Sequence, residues 1–157
     1  MAASAAGNPG IRLGLIGPPD PAVRELCCFP GSRCDEYPSL RSALAEISEP
    51  GVRNDPDLVI VVQQWSDEYR ADEVQELLTL LPLARVCCVY GPLCSADGRT
   101  RSKWPLALRV PRAEFPGRLQ LELAVVRGEL PPLPRTAGYE EVFAFTASAL
   151  VDPAPAE

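Results

Sequence analysis

All six cysteines of the chain lie in two stretches with one spelling, "CCFPGSRC" from Cys27 to Cys34 and "CCVYGPLC" from Cys87 to Cys94. Each is a cysteine pair, five residues with Gly31 or Gly91 in the same slot, and a third cysteine. Thiols in such a pattern could hold a metal, form disulfides, mark an internal repeat or fill a core. Zinc ligand pairs are normally separated by two to four residues, a spacing that neither stretch contains. The chain has no histidine, which removes the commonest general base, the Ser-His and Cys-His nucleophile pairs and every mixed Cys/His zinc site. Lys103 is the only lysine beside fourteen arginines, so Schiff-base chemistry has a single candidate.

Three other groupings carry polar chemistry. "GLIGPPDP" around Gly17 invites a phosphate-loop reading, but it has neither G-x-G-x-x-G nor a P-loop lysine, and Pro18 and Pro19 lack the amide N–H groups that cradle phosphate. Gln63, Gln64, Trp65, Ser66 and Asp67 follow a strongly apolar run, where paired amides suit either a ligand or the backbone groups of a strand end. In "CSADGRTRSKWP", Arg99, Arg101, Lys103 and Trp104 follow Cys94 in a short, turn-rich and basic loop of an otherwise acidic chain. Arg and Trp are enriched at binding hot spots, and Arg can fork onto a carboxylate or phosphate. The alternative is a solvated loop with Trp104 packed inward. The acids Asp67, Glu68, Asp72, Glu73 and Glu76 read as a helix start favoured by its dipole.

Presenting any of these groups requires a folded domain. The 157 residues, 46% hydrophobic and 23% charged, have the composition of one globular domain with one core. A net charge of −6 argues against a nucleic-acid partner, which needs clustered Lys and Arg to neutralise phosphates. "MAASAAGNPG" lacks the basic and apolar regions of a signal peptide, and no run of about 18 apolar residues occurs. The expectation is a cytoplasmic protein with no membrane partner and with reduced thiols.

The elements alternate. "IRLGLIG" from Ile11 reads as a short buried strand, stopped by "PPDP", and Pro21 opens a helix running to Phe29. "SRCDEY" is a weak second strand, and "PSLRSALAEI" places Leu40, Ala43, Leu44 and Ile47 on one helix face. "DLVIVVQQW" is the strongest element, apolar and largely β-branched from Leu58 to Val62, as a central parallel strand covered on both faces should be. "ADEVQELLTLL" follows as a helix, and "ARVCCVYG" as a fourth strand. Only thirteen residues then separate Gly91 from Pro105, barely enough for a crossover helix before a fifth strand in "LALRVP". "RLQLELAVVR" is a last helix ending at Gly128. "ELPPLPR" reads as a stiff linker into "GYEEVFAFTASALV", which suits a strand or a helix.

The predicted architecture is a flavodoxin-like three-layer α/β sandwich with a five-stranded parallel sheet in the order 2-1-3-4-5 and a shortened or missing fourth crossover helix. Residues 1–10 are a flexible start, 11–130 the α/β domain and 131–157 a Pro-rich linker and tail. This arrangement puts Cys27 and Cys28 near a helix end and Cys87 and Cys88 inside a strand, pointing to opposite faces. A shared metal cluster is thereby disfavoured, and small buried hydrophobes are the favoured reading of the thiols.

"NDPDLVIVVQQ" resembles the third-strand signature of response-regulator receiver domains, and "RVPRAEF" resembles their fifth-strand end. With "SLRSALAEI" as second helix, the resemblance spans about Arg12 to Arg127. Carried over singly, the active positions are degenerate. The phosphoacceptor aspartate falls on Val62 or Gln63, the metal-binding acids on Gly17 and Pro18 with Asp20 displaced nearby, the strand-four Thr or Ser on Tyr90 or Gly91, and the strand-five lysine on Val110. The resemblance therefore implies a pseudo-receiver: no catalysis, no metal and no cofactor, in a regulatory or binding role.

The leading expectation is a phosphorylation-independent module that binds a protein with an acidic surface through Cys94, Arg99, Arg101, Lys103 and Trp104. The rival is a ligand-binding or enzyme domain using Gln63, Gln64, Tyr90, Cys94 and the arginines at the carboxyl ends of the strands. A third reading is self-association, with the tail docked on a second copy.

Overall fold

The computed structural model describes residues 10–51, 55–100 and 103–151. In chain order the elements are β1 (Ile11–Ile16), α1 (Pro21–Cys27), β2 (Ser32–Tyr37), α2 (Leu40–Ile47), β3 (Leu58–Gln63), α3 (Ala71–Leu80), β4 (Arg85–Tyr90), α4 (Asp97–Thr100), β5 (Arg109–Pro111), α5 (Phe115–Val126) and α6 (Tyr139–Val151). The strands form one all-parallel sheet ordered β2-β1-β3-β4-β5, the flavodoxin-like arrangement. The fourth crossover is shortened to a 3₁₀ turn at Pro92–Cys94 and the four residues of α4.

Strand alternation divides the core. On one face of the sheet Val59, Val61, Val86 and Cys88 pack under α2 and α3 with Tyr69 and Trp104; on the other, Leu58, Ile60, Val62, Cys87 and Val89 pack under α1 and α5 with Phe115, Leu119 and Leu123. Every residue of β3 is buried, the consequence of helices on both sides of a central parallel strand. The side chain of Asp20 caps α1 by accepting from Ala22 N and Val23 N, and Ser39 forms a reciprocal capping box with Ser42 at the start of α2. Helix α5 starts at Phe115, before the expected Arg118, because Pro116 suits a first helical turn and the Phe115 ring is buried.

The segment after residue 130 is more than a linker. Arg135 donates to the carbonyls of Leu78 and Leu81 at the end of α3, both at 3.1 Å, and Arg85 donates to Leu133 O at 3.2 Å. The ambiguous tail is helix α6, which lies along α5 with Val142 and Phe145 packed on Ala107, Leu133 and Ala137. Among the described residues no helix is long and apolar enough to cross a membrane.

Candidate functional site

In an open parallel sheet of this order, ligands enter where neighbouring crossovers diverge, outside the carboxyl ends of β1 and β3. Gly17 follows β1 with φ 114°, and its N–H donates to Tyr37 O at 3.0 Å. Tyr69 returns to this point from the loop after β3. Its hydroxyl donates to Val62 O, and a Cβ on Gly17 would collide with that hydroxyl and lie 2.7 Å from Val62 O. The Tyr69 ring is buried, and Trp104 meets it edge-on with centroids 6.3 Å apart. Burial pushes the Tyr69 phenol well above its ordinary value, so it stays a neutral donor. The switch point is filled by protein.

The polar groups beside it bond inward. Gln63, 5% exposed, donates through Nε2 to Trp65 O at 3.1 Å and Asp97 Oδ2 at 3.4 Å, while its Oε1 accepts from Cys88 Sγ at 3.4 Å. Ser66 Oγ donates to Asp97 Oδ1 at 2.5 Å, and Gln64 N donates to Glu68 Oε2 at 2.6 Å. Lys103 Nζ pairs with Asp67 at 2.8 Å and donates to Tyr69 O at 2.8 Å. Arg109 donates to Cys94 O at 2.8 Å and lies over the Tyr90 ring at 4.3 Å. The cavity enclosed by Gln63, Asp67, Asp97, Lys103, Trp104 and Arg109 measures about 10 Å³, the room of one water-sized sphere. Such a space holds no substrate.

The carried-over positions offer no acid to a metal or phosphate. Val62 and Val110 are buried core residues, and Tyr90 is engaged by Arg109. The nearby Asp20 is 4% exposed and held by a two-pronged Arg112 pair, both contacts at 2.8 Å. Among the described residues no cluster of three or more Cys, Asp or Glu is placed to hold a metal ion.

The loop expected to bind a partner divides. Cys94 is fully buried and Trp104 is 3% exposed, so both are core residues: shortening the crossover leaves the space beside Tyr69 to the indole. Lys103 is tied to Asp67. Arg99 is exposed, and Arg101 lies outside the described residues. What sequence reasoning missed is a pair of exposed apolar side chains on the neighbouring turns, Trp65 at 54% and Leu93 at 75%. Their loops meet where Ser66 Oγ, whose proton goes to Asp97, lies 3.4 Å from Leu93 O. The strand-end position of Trp65 was the available signal; nothing in the sequence marked Leu93.

All six thiols are free; Cys27, Cys87, Cys88 and Cys94 are buried, Cys34 is partly covered and Cys28 exposed. Burial pushes Cys27 up to about 12 and Cys34 up to about 11 from an ordinary 9.0, and pushes Cys87 and Cys88 higher still. Burial thus keeps these thiols protonated at neutral pH. On the other side of Gly17 a groove of about 620 Å³ runs beside the carboxyl ends of β1 and β2, lined by Gly17, Pro18, Asp20, Arg24, Cys28 and Tyr37 among others. No protein-family model matches the sequence, and neither the curated proteins nor the solved structures contain a match.

Proposed function

We propose that the chain is a non-catalytic, phosphorylation-independent binding module of receiver-like build, which engages a protein partner through the surface over the carboxyl ends of β3 and β4. The observation that carries this reading is the switch point filled by Tyr69, with only about 10 Å³ left beneath Gln63. A fold whose crevice is closed over β3 and β4 retains the outer surface there for recognition. Trp65, Leu93 and Arg99 supply that surface with an aromatic anchor, an aliphatic neighbour and an exposed guanidinium, the residue types that dominate protein interfaces being Trp and Arg. The guanidinium favours an acidic partner, and association weakens as salt rises. Six free thiols support a reducing, cytoplasmic setting.

The test has two arms. Incubation with a small phosphodonor and Mg²⁺ leaves intact mass and melting temperature unchanged. The double variant Trp65→Ala, Arg99→Ala melts like the parent but captures its partner with affinity lower by roughly 30-fold or more. A phosphoryl-sized mass gain on an aspartate, a saturable Mg²⁺-dependent rise in melting temperature, or undiminished capture by the double variant refutes the proposal.

A second reading has one observation behind it. The groove of about 620 Å³ beside β1 and β2 has the size of small-molecule sites, although it is lined by none of Gln63, Tyr90 or Cys94. A small molecule that raises the melting temperature, and whose effect is lost in Tyr37→Ala but kept in Trp65→Ala, establishes that reading instead.

A further inference from the structure

Helix α6 carries apolar side chains on more sides than the domain covers. Val142 and Phe145 pack against Ala107, Leu133 and Ala137, and the Arg118 guanidinium sits over the Phe145 ring at 4.9 Å. Tyr139 and Phe143 point elsewhere and remain 72% and 75% exposed. Beside these rings runs a groove of about 490 Å³ whose other walls are mostly small, Ala113 just before α5, Gly117 in its first turn and Thr146, Ala147 and Ala149 from α6, with the one acid Glu114 among them. Projecting rings and a shallow apolar recess therefore share one face.

We infer that this face is a homodimer interface in which two copies pair through antiparallel α6 helices. A two-fold contact requires one patch to be complementary to itself, with each feature meeting its counterpart's complement on the other copy. Here Phe143 and Tyr139 are the projections and the recess over Gly117 and Ala149 the receiver. Burying two rings from each copy, at about 150 to 250 Å² apiece before the recess walls are added, brings the contact to the order of 1,000 Å². That reaches the lower limit for a specific interface, so the dimer is weak, with a dissociation constant on the order of micromolar. Charge selects the direction. Glu140 and Glu141 lie in the first turn of α6, whereas Thr146 to Ala149 carry no charge. Parallel pairing would bring the four α6 carboxylates together, while antiparallel pairing sets each pair of acids against the uncharged half of α6, with Glu114 on the recess wall the one like charge there, and opposes the helix dipoles.

The face shares no residue with the Trp65 surface, so the two are separable. Sedimentation velocity of the full chain from about 1 to 300 µM spans the range in which such a weak dimer forms. Association that rises with concentration is expected. Phe143→Glu, at an exposed position, keeps the parent's melting temperature but weakens association at least about ten-fold, and Tyr139→Ser gives a second, milder disruption. Ser148→Lys strengthens it, because the antiparallel arrangement brings that exposed position toward Glu140 and Glu141 of the second copy; in a parallel pair it would not. Trp65→Ala with Arg99→Ala dimerises like the parent. A monomer throughout the range, or a dimer indifferent to Phe143→Glu, overturns the inference and leaves the face to a different protein. A dimer that Phe143→Glu disrupts and Ser148→Lys does not strengthen overturns the antiparallel arrangement.

Discussion

Gly17 and Tyr69 together decide what the carboxyl end of the sheet can do, and their contact is measurable. Alanine at Gly17 is strained by φ 114° and collides with the Tyr69 hydroxyl and Val62 O, so Gly17→Ala is expected to cost about 2 kcal/mol or more. Tyr69→Phe removes one buried hydrogen bond and costs about 1 kcal/mol. Because the missing hydroxyl also removes one of alanine's two collisions, the double variant loses less than the sum of the singles, by about 1 kcal/mol. Urea midpoints of the four proteins check this; strict additivity would mean that the two residues do not share the space. That Val62, Gly17 and Val110 carry no ionisable side chain was legible in the sequence, because residue type alone decides it. Tyr69 was not, since "DEYRADE" reads as a solvated helix start and only the tertiary fold brings its ring back to β1. Trp104 packs inward, as the alternative reading of its loop had it, but its partner Tyr69 was hidden for the same reason: the two are distant in sequence.

At the scale of elements, periodicity did most of the prediction. The unbroken apolar run of β3 and the stripe of α2 belong to different repeats and gave different structures, and thirteen residues, barely enough for a crossover helix, hold a shortened one. Helix α6 carried no such signal, because a segment apolar on all sides has no period to distinguish helix from strand. The clamp that holds it was equally hidden. Arg118 and Arg85 both bond Glu122, at 2.8 and 2.7 Å, with Arg118 and Glu122 almost wholly buried; Arg118 also donates to Ala107 O. Removing the carboxylate's charge leaves the buried Arg118 guanidinium unneutralised beside the part-buried Arg85. Glu122→Gln should therefore cost about 3 kcal/mol or more, and release Leu133 and Phe145 so that limited proteolysis after residue 130 accelerates. Unchanged protease resistance in a destabilised Glu122→Gln protein would separate the ion cluster from the tail.

For the whole molecule, the thiols link stability to alkaline pH. Cys27 and Cys87 lie on one face of the sheet and Cys88 on the other, so unfolding exposes ionisable groups from both layers. An unfolded thiol ionises near 9.0, whereas Cys27 in the fold is pushed up to about 12 and Cys34 to about 11, mainly by burial. Cys87, Cys88, Cys94 and Tyr69 shift the same way for the same leading reason. A raised pKa means that the folded state holds its proton more tightly, so the stabilisation is fully present below the unfolded value and is lost as pH rises through the folded one. No comparable acid limb arises from Asp72, lowered by Arg70, because that pair is fully exposed to solvent. The urea midpoint should stay level up to about pH 9 and then fall continuously toward about pH 12. Cys27→Ala tests the cause: it costs a little packing at neutral pH but shallows the alkaline decline, since one of the groups that release protons on unfolding is gone. A midpoint that ignores pH across this window, or a Cys27→Ala protein with the parent's slope, would show that the buried thiols do not set the alkaline limit of the fold.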